Sequence, residues 1–481
     1  MMAKMTLASL AWDAFKLAFG LISLASVWAR AVMKNGALWA RDSEEEKKEL
    51  ASAQQRFWSL DREPLPGFRH VFFKTKDGTS LHYIVNERAE ASGAAPKNVA
   101  IFIHGFPDSF LLWRHILQSP ELRNHVLIAV DLPGYGGSDG LPVYGPYEML
   151  ETLTEFIIGV RELFLHEDKE VVVVTHDWGA VIGARLAAEA GMLADHWIIT
   201  SGIIPSLQAS NIQNRIMLAK QMLHTWTRSP FNIGLLKNGL RALSPVAGQF
   251  RRSFYIFCFL LPLPFSKIFA TFGNYWFLRV LHQLGKGPRN MSQKTLTALN
   301  AVETAESMAI STGPGIAQLG SSGGMQYGPS VRRRVNDRGM SEKIRIYREG
   351  LFFSKWEKSL EITAALFNIS SDVTPRRAST SGTLLNMAPK GALKAPTTIM
   401  LGEHDLAFDL RLVLDNSRDY LVKGSQVVII KGAGHWLPLE ETGRRVLGET
   451  VQWALRGRSS DSKNEATPFT AMSDVRMIES L

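Results

Sequence analysis

Asp177, Asp405 and His435 have the residue types for nucleophilic and acid–base chemistry, and each stands just past an apolar run. They occur in "VVVVTHDWGAVIGARLAAE" (Val171 to Glu189), "GEHD" (Gly402 to Asp405) and "AGHW" (Ala433 to Trp436). Asp177 raises the sharpest question, because a carboxylate at the tip of a hydrophobic strand is expensive to desolvate. Either the side chain caps the helix that opens at Trp178, a common fate for aspartate, or it does chemistry. A carboxylate, a second carboxylate and a histidine can supply an attacking group, an orienting group and a general base. Glu403 and Asp409 compete with Asp405 for the orienting role, while His176 and His404 read as structural neighbours.

Positioning such groups requires a scaffold whose strands end on one side. "NVAIFIHGF", "HVLIAVDLPGYGG", "EVVVVTHDWG", "HWIITSG", "APTTIMLGEHD" and "SQVVIIKGAGHW" are short apolar runs that read as buried strands. Helical patterns at Ser109 to Leu117, Glu148 to Phe164, Trp178 to Ala190 and Leu437 to Leu455 separate them. This alternation predicts an α/β fold, a mostly parallel sheet covered by helices on both faces. "HVFFKTKDGTSLHYIV" adds a hairpin around Asp77 and Gly78. Functional groups in such sheets gather at the carboxyl ends of the strands. There the sequence places "HGFP" (His104 to Pro107), Asp131, Asp177, Asp405 and His435.

The rhythm breaks between "TSGII" and "KAPTTIM", where helical and aromatic patterns replace it. The expected organisation is an N-terminal hydrophobic helix over 1–42, a core over 43–204 and 395–456, and an inserted helical cap over 205–394. A polar tail over 457–481 is expected to be disordered. The Ser/Thr/Pro/Gly-rich stretch from Ser370 to Ala392 reads as a flexible loop.

With 481 residues, of which 46% are apolar and 21% charged, the chain has enough material for a large core and an insertion. Its net charge of +9 lacks the aromatic–basic interleaving of a nucleic-acid platform, so a membrane surface is the better partner. Cys258 stands alone, which excludes an intrachain disulfide and a cysteine zinc site and favours a reducing compartment. No metal-ligand spacing such as H-E-x-x-H occurs. Leu7 to Met33 is almost wholly apolar, although Asp13 and Lys16 leave an uncharged run only from Leu17 to Ala29. That run is shorter than the roughly 20 residues of a spanning helix. With Trp12 and Trp28 near its ends, the segment reads as an interfacial or anchoring helix. The catalytic domain is then expected to be membrane-associated and to face the cytoplasm.

"THDWGA" (Thr175 to Ala180) resembles the nucleophile elbow of the α/β-hydrolase fold, with aspartate where esterases carry serine. Gly179 matches the small residue after the nucleophile, and Thr175 stands where glycine is usual. The chain order of nucleophile, acid and histidine also matches. An aspartate at the elbow is similar to the epoxide hydrolase and haloalkane dehalogenase group. A carboxylate displaces well at saturated carbon, leaving an alkyl-enzyme ester for water to hydrolyse.

The resemblance implies Asp177 as nucleophile, His435 as general base and Asp405 as its orienting acid. The N–H groups of Phe106 and Trp178 would form the oxyanion hole. In the cap, "FYIFCFLLP" (Phe254 to Pro262) and "IRIYREG" (Ile344 to Gly350) resemble the two tyrosine segments of epoxide hydrolases. They supply Tyr255 and Tyr347, with Tyr327 and Tyr275 as rivals to the latter. Leu260 replaces the glutamine usual in the first segment. The implied activity is hydrolysis of a small lipophilic epoxide by water to a vicinal diol, without cofactor or metal. A haloalkane dehalogenase, an epoxide-opening cyclase and an inactive binding protein on the same fold are the alternatives. The resemblance runs from Phe68 to Arg456 and is weak across Gly285 to Val335.

Overall fold

The computed structural model describes residues 7–36, 39–86, 98–165, 169–286, 298–320, 324–377, 388–456 and 467–481. Its centre is one sheet of nine strands. They are β1 (Phe68–Lys74), β2 (Ser80–Asn86), β3 (Val99–Ile103), β4 (Val126–Val130), β5 (Val171–His176), β6 (His196–Thr200), β7 (Thr397–Gly402), β8 (Gln426–Ile430) and β9 (Val475–Ser480). Their spatial order is β1-β2-β4-β3-β5-β6-β7-β8-β9. The six strands from β4 to β8 run parallel, and β1, β2 and β9 are antiparallel additions at the two edges.

Each central strand is buried on both faces, which is why its sequence is apolar throughout instead of alternating. Alternate residues still part to opposite sides. Ile101, Val173 and Ile199 face one apolar layer, which includes α4 (Pro146–Phe164) and α5 (Trp178–Glu189). Phe102, Val174 and Ile198 face the other, formed by α2 (Glu44–Trp58), α3 (Arg114–Leu117) and α15 (Glu441–Leu455). Ser43 and Glu46 make a reciprocal capping box that starts α2.

The cap lies between β6 and β7. It comprises α6 (Pro205–Arg228), α7 (Ile233–Arg252), α8 (Phe254–Leu260), α9 (Leu263–Gly285), α10 (Ala301–Thr312), α11 (Pro329–Arg334), α12 (Met340–Lys343) and α13 (Leu360–Arg377). The short α14 (Leu410–Leu414) follows β7. The stretch Ser370 to Arg377, expected as loop, continues α13, and residues 378–387 lie outside the described ones.

One further expectation changes. Residues 475–480 are not disordered: they pair antiparallel with β8, with a register shift at Val427/Val428. The outer edge of β8 offers backbone N–H and C=O groups that this pairing satisfies, and the polar sequence around the strand hid it. The N-terminal helix α1 runs unbroken from Leu7 to Asn35, over the apolar segment from which a helix was expected. Asp13 and Lys16, whose charges interrupt the apolar run, face each other at 2.7 Å and compensate one another. Ser9 to Met33 is long and apolar enough to cross a membrane, and only 11% of its most apolar window is buried.

Because β9 supplies the hydrogen-bond partner for the edge of β8, ending the chain at Arg456 should lower the thermal midpoint and promote self-association. Scanning fluorimetry and light scattering measure both. An unchanged midpoint with a monodisperse truncated chain would mean that β9 contributes nothing to stability.

Candidate active site

Strand register brings the sequence candidates together. Ile103 of β3 pairs with Thr175 of β5, so the loop starting at His104 leaves the sheet beside Asp177. Gly402 of β7 pairs with Ile430 of β8, so the segments carrying Asp405 and His435 also leave side by side.

Asp177 sits on the turn from β5 into α5 with φ 53° and ψ −118°. A non-glycine residue held there costs of order 1–3 kcal/mol and persists only where its surroundings enforce it. The enforcement is visible at two glycines. A Cβ on Gly179 would lie 2.4 Å from the carbonyl oxygens of Ile103 and His104, so α5 starts closer to β3 than any other residue permits. A Cβ on Gly105 would lie 2.4 Å from Asp177 Oδ1, so this glycine lets the following N–H reach the carboxylate. Phe106 N–H accordingly donates to Asp177 Oδ1 at 2.7 Å. The Asp177 side chain makes no capping hydrogen bond to α5, which excludes the helix-cap reading.

Thr175 has a local explanation as well. Its hydroxyl donates to Ile198 O at 3.0 Å, and Gly183 of α5 faces its methyl group. A Cβ on Gly183 would stand 2.7 Å from Thr175 Cγ2. The small residue that permits close strand–helix packing has moved from the strand to the helix.

His435 Nδ1 lies 2.9 Å from Asp405 Oδ2, and its Nε2 lies 3.5 Å from Asp177 Oδ2. Asp405 Oδ1 accepts from Ala407 N–H at 2.7 Å. Gln249 of α7 ties this loop to the cap, donating to Ala407 O and accepting from Asp409 N–H, each at 2.9 Å. Glu440 accepts from the backbone N–H groups of Gly434 and Trp436 on either side of the histidine. Glu403 instead accepts from Gly432 N–H, and Asp409 caps α14 and pairs with Arg411, so neither competitor reaches the histidine.

Burial opposes a charge on His435, but the charge of Asp405 and the hydrogen bonds to Asp177 and Asp405 outweigh it. They raise its pKa to about 10. His176 packs 5.1 Å from the His435 ring, and burial, with His435 beside it, keeps it neutral. His404 is exposed and turned away.

Both cap tyrosines meet above this cluster, with ring centroids 5.9 Å apart. Tyr347 packs against Phe106 and Trp178 at 5.3 and 4.9 Å. Arg348 donates to the carbonyls of Phe259 and Leu261, stapling the Tyr347 segment to the C-terminal end of the helix that carries Tyr255. Burial, reinforced by the negative charge of Asp177, pushes both hydroxyls above the usual tyrosine range, so they stay protonated as proton donors must. The rivals lie elsewhere: Tyr327 donates to Trp58 O, and Tyr275 stacks under Arg338. Trp178 N stands 2.6 Å from the position a Gly105 Cβ would take, beside Asp177 Oδ1.

Several residues in and around the cluster have roles that the sequence did not assign. His104 accepts from Leu132 N–H through Nε2 and therefore donates to Gly105 O through Nδ1, bracing the loop that carries Phe106; burial lowers its pKa to about 4. Asp108 is buried, receives Trp436 Nε1–H at 3.2 Å and is pushed up to about 6 by burial. Lys343, wholly buried, reaches Pro107 O at 3.4 Å and is pushed down to about 7 by burial. Asp108 directly follows the "HGFP" run and was legible from that position, whereas nothing near Lys343 in the sequence points to this site. Asp131 looks equivalent to Asp177 along the chain, yet it is structural: it binds His82 and accepts from Phe110 and Gly137 N–H. A cavity of about 490 Å³ opens between Gly140 to Pro142 and the cap, and one of about 760 Å³ between α1 and the cap; Asp177 lines neither.

The charged His435 also makes a thermodynamic prediction. The ordinary histidine pKa is about 6.5, so the imidazolium stabilises the fold in full below that pH, and this contribution is lost as pH rises through about 10. The thermal midpoint should fall across that window in the native chain and fall less in His435→Gln. Equal slopes would mean that the ion pair adds no stability.

Comparison with known proteins identifies the family. Residues 100–449 match the alpha/beta hydrolase family. Epoxide hydrolase 2 of Caenorhabditis elegans is 31% identical over 140 residues, 28% of this chain and 36% of that protein. Epoxide hydrolase 3 of Xenopus tropicalis is 30% identical over 143 residues, 29% of this chain and 35% of that protein. The matches thus span little more than a third of these curated relatives. An epoxide hydrolase structure from Bacillus megaterium aligns with 80% of this chain and 99% of its own, at 19% identity and a TM-score of 0.45. With the family match extending from β3 into α15, over most of the sheet and the whole cap, the chain belongs to the alpha/beta hydrolase family.

Proposed function

We propose that this protein is an epoxide hydrolase that opens a small lipophilic epoxide to a vicinal diol through an ester on Asp177. The observation that carries this reading is the division of labour between the two Asp177 oxygens. Oδ1 is held by Phe106 N–H, while Oδ2 faces His435 Nε2 beneath the tyrosine pair. Oδ2 attacks a ring carbon, the carbon–oxygen bond breaks, and Tyr255 or Tyr347 gives its proton to the departing oxygen. Oδ1 remains as the ester carbonyl oxygen.

Esterification removes one of the two negative charges that favour the His435 imidazolium. Its proton restores the tyrosine, and the neutral ring then accepts a proton from water as the water adds to the ester carbonyl. The oxyanion that develops on Oδ1 meets the N–H groups of Phe106 and Trp178. Collapse expels the second product oxygen, which takes the remaining water proton as Asp177 returns to carboxylate, so the diol leaves and one water oxygen stays in Asp177. Asp405 holds the imidazole tautomer throughout.

Curated relatives named epoxide hydrolases support the substrate class. The apolar lining of Phe106, Trp178, Phe259 and Tyr347 suits a lipophilic substrate. The apolar helix α1 supports attachment to a membrane, and the lone cysteine accords with a catalytic domain on the cytoplasmic side.

Repeated turnover in heavy-oxygen water with a panel of epoxides and haloalkanes tests the covalent step. Label should accumulate in the Asp177 carboxylate, and Asp177→Ala should abolish diol formation. Unlabelled Asp177, or an active alanine variant, would refute the ester. Tyr255→Phe combined with Tyr347→Phe should eliminate epoxide opening, and a double variant at full rate would remove the tyrosines from the mechanism. Gly105→Ala should displace the Phe106 N–H and lower turnover by about 100-fold, the usual loss for one oxyanion donor. Unaltered kinetics in that variant would exclude this donor.

A further inference from the structure

The positive charge of this chain is concentrated in one place. Residues 196–302 contain twelve of its 54 basic residues and none of its 45 acidic ones. The remainder, with 42 basic against 45 acidic residues, is net negative. This acid-free segment begins with β6 and contains the helical hairpin of α6 and α7 together with α8 and α9. Four of its cations find carboxylates elsewhere: Arg215 on Asp415, Lys267 on Asp337, Arg279 on Asp42 and Glu46, and Lys286 on Glu303. Among the described residues, no ion pair reaches Lys220, Arg228, Lys237, Arg241 or Arg251, all of them exposed.

The hairpin is also packed the wrong way round for water. Its seam is made of small residues: Ala219, Gly239 and Ala242 are buried, and a Cβ on Gly239 would stand 3.1 Å from Leu223. The larger apolar residues face outward. Phe231 at the tip is 98% exposed, Met217 60% and Leu240 56%, with Ile216 and Ile233 also exposed. On α7, Ile233, Lys237, Leu240 and Arg241 recur at helical spacing on one exposed stripe; on α6, Met217, Lys220, His224 and Arg228 do the same. Small residues between helices and large ones outside is the packing of helices that face lipid. Apolar residues interleaved with cations suit the interface of an anionic bilayer.

The hairpin adjoins the apolar helix α1. Trp12, Phe15 and Phe19 of α1 pack on Phe250 near the end of α7 and on Phe257 of α8. Gly20 of α1 crosses α8 so closely that a Cβ there would lie 2.7 Å from Phe257 O. We infer that the α6–α7 hairpin is a second membrane-docking element, which inserts Phe231 and its apolar neighbours into an anionic lipid surface and holds them with Lys220, Arg228, Lys237 and Arg241. The inference shares with the proposed function only the membrane as partner, and it stands on a different segment from α1.

Co-sedimentation of the full chain with phosphatidylcholine vesicles, with and without phosphatidylserine, tests it. Phosphatidylserine should increase the bound fraction, and added salt should reverse that gain. Each basic side chain near an anionic leaflet is worth roughly fivefold in partitioning, so Lys237→Glu with Arg241→Glu should lower the gain by at least about 25-fold. The matched reversal of Lys47 and Lys48 on α2 should leave it intact, and epoxide turnover of both variants should be unchanged. Phe231→Ser should weaken binding to both vesicle types. Binding indifferent to phosphatidylserine, or a full lipid response in the Lys237/Arg241 variant, would overturn the inference. So would RNA that displaces the protein from vesicles and binds the Phe231→Ser variant equally well, since that assigns the surface to nucleic acid. Failure of the α1 anchor reads out separately, as lost binding to pure phosphatidylcholine with the phosphatidylserine response retained.

Discussion

The strained turn at Asp177 is the constraint on which the rest of the site depends. A carboxylate at the end of a buried strand gains nothing by being there unless the chain both exposes it and gives it partners. Close approach of α5 to β3 at Gly179 does the first, and close approach of the His104 loop at Gly105 does the second. Both contacts follow from parallel pairing of β3 and β5, which starts the two loops side by side. His104 and Asp131 then fix the loop from behind through buried hydrogen bonds. The strain at one residue is thus sustained by the whole centre of the sheet.

Electrostatics complete the arrangement. His435 lies between two carboxylates in a site almost closed to water, so its charge answers to what happens at Asp177. Neutralising one neighbour is enough to change the balance at the imidazole, which couples the two halves of the proposed reaction without any movement of the chain. The same carboxylate helps keep the tyrosine protons on, and there burial acts with it instead of against it.

The cap serves more than one end. Its α8 and the segment ending in Arg348 hold the tyrosines over Asp177, and Gln249 of α7 steadies the loop of Asp405. The same α7 carries an outward stripe of apolar and basic residues, and its C-terminal end receives the aromatic face of α1. The proposed chemistry and the inferred surface attachment therefore share helices.

Much of this was determined by the sequence alone. Buried parallel strands must be apolar on both faces, so β3 to β8 stand out as continuous hydrophobic runs, and the chemistry-bearing residues just past them could be read off. The acid-free segment from 196 to 302 was equally legible, since charge depends on composition and needs no coordinates. Tertiary structure decided what depends on distance. Asp131 and Asp177 occupy equivalent places along the chain, and only their surroundings separate a buried hydrogen-bond hub from a strained, uncapped carboxylate. Thr175 makes sense once Gly183 faces it, and Lys343 enters the site from far along the chain. Strand β9 mixes polar with apolar residues and does not announce itself, and the two charges that interrupt the apolar run of α1 compensate each other across one helical turn. Local pattern records what each segment buries, whereas contacts between segments distant in sequence exist only after folding.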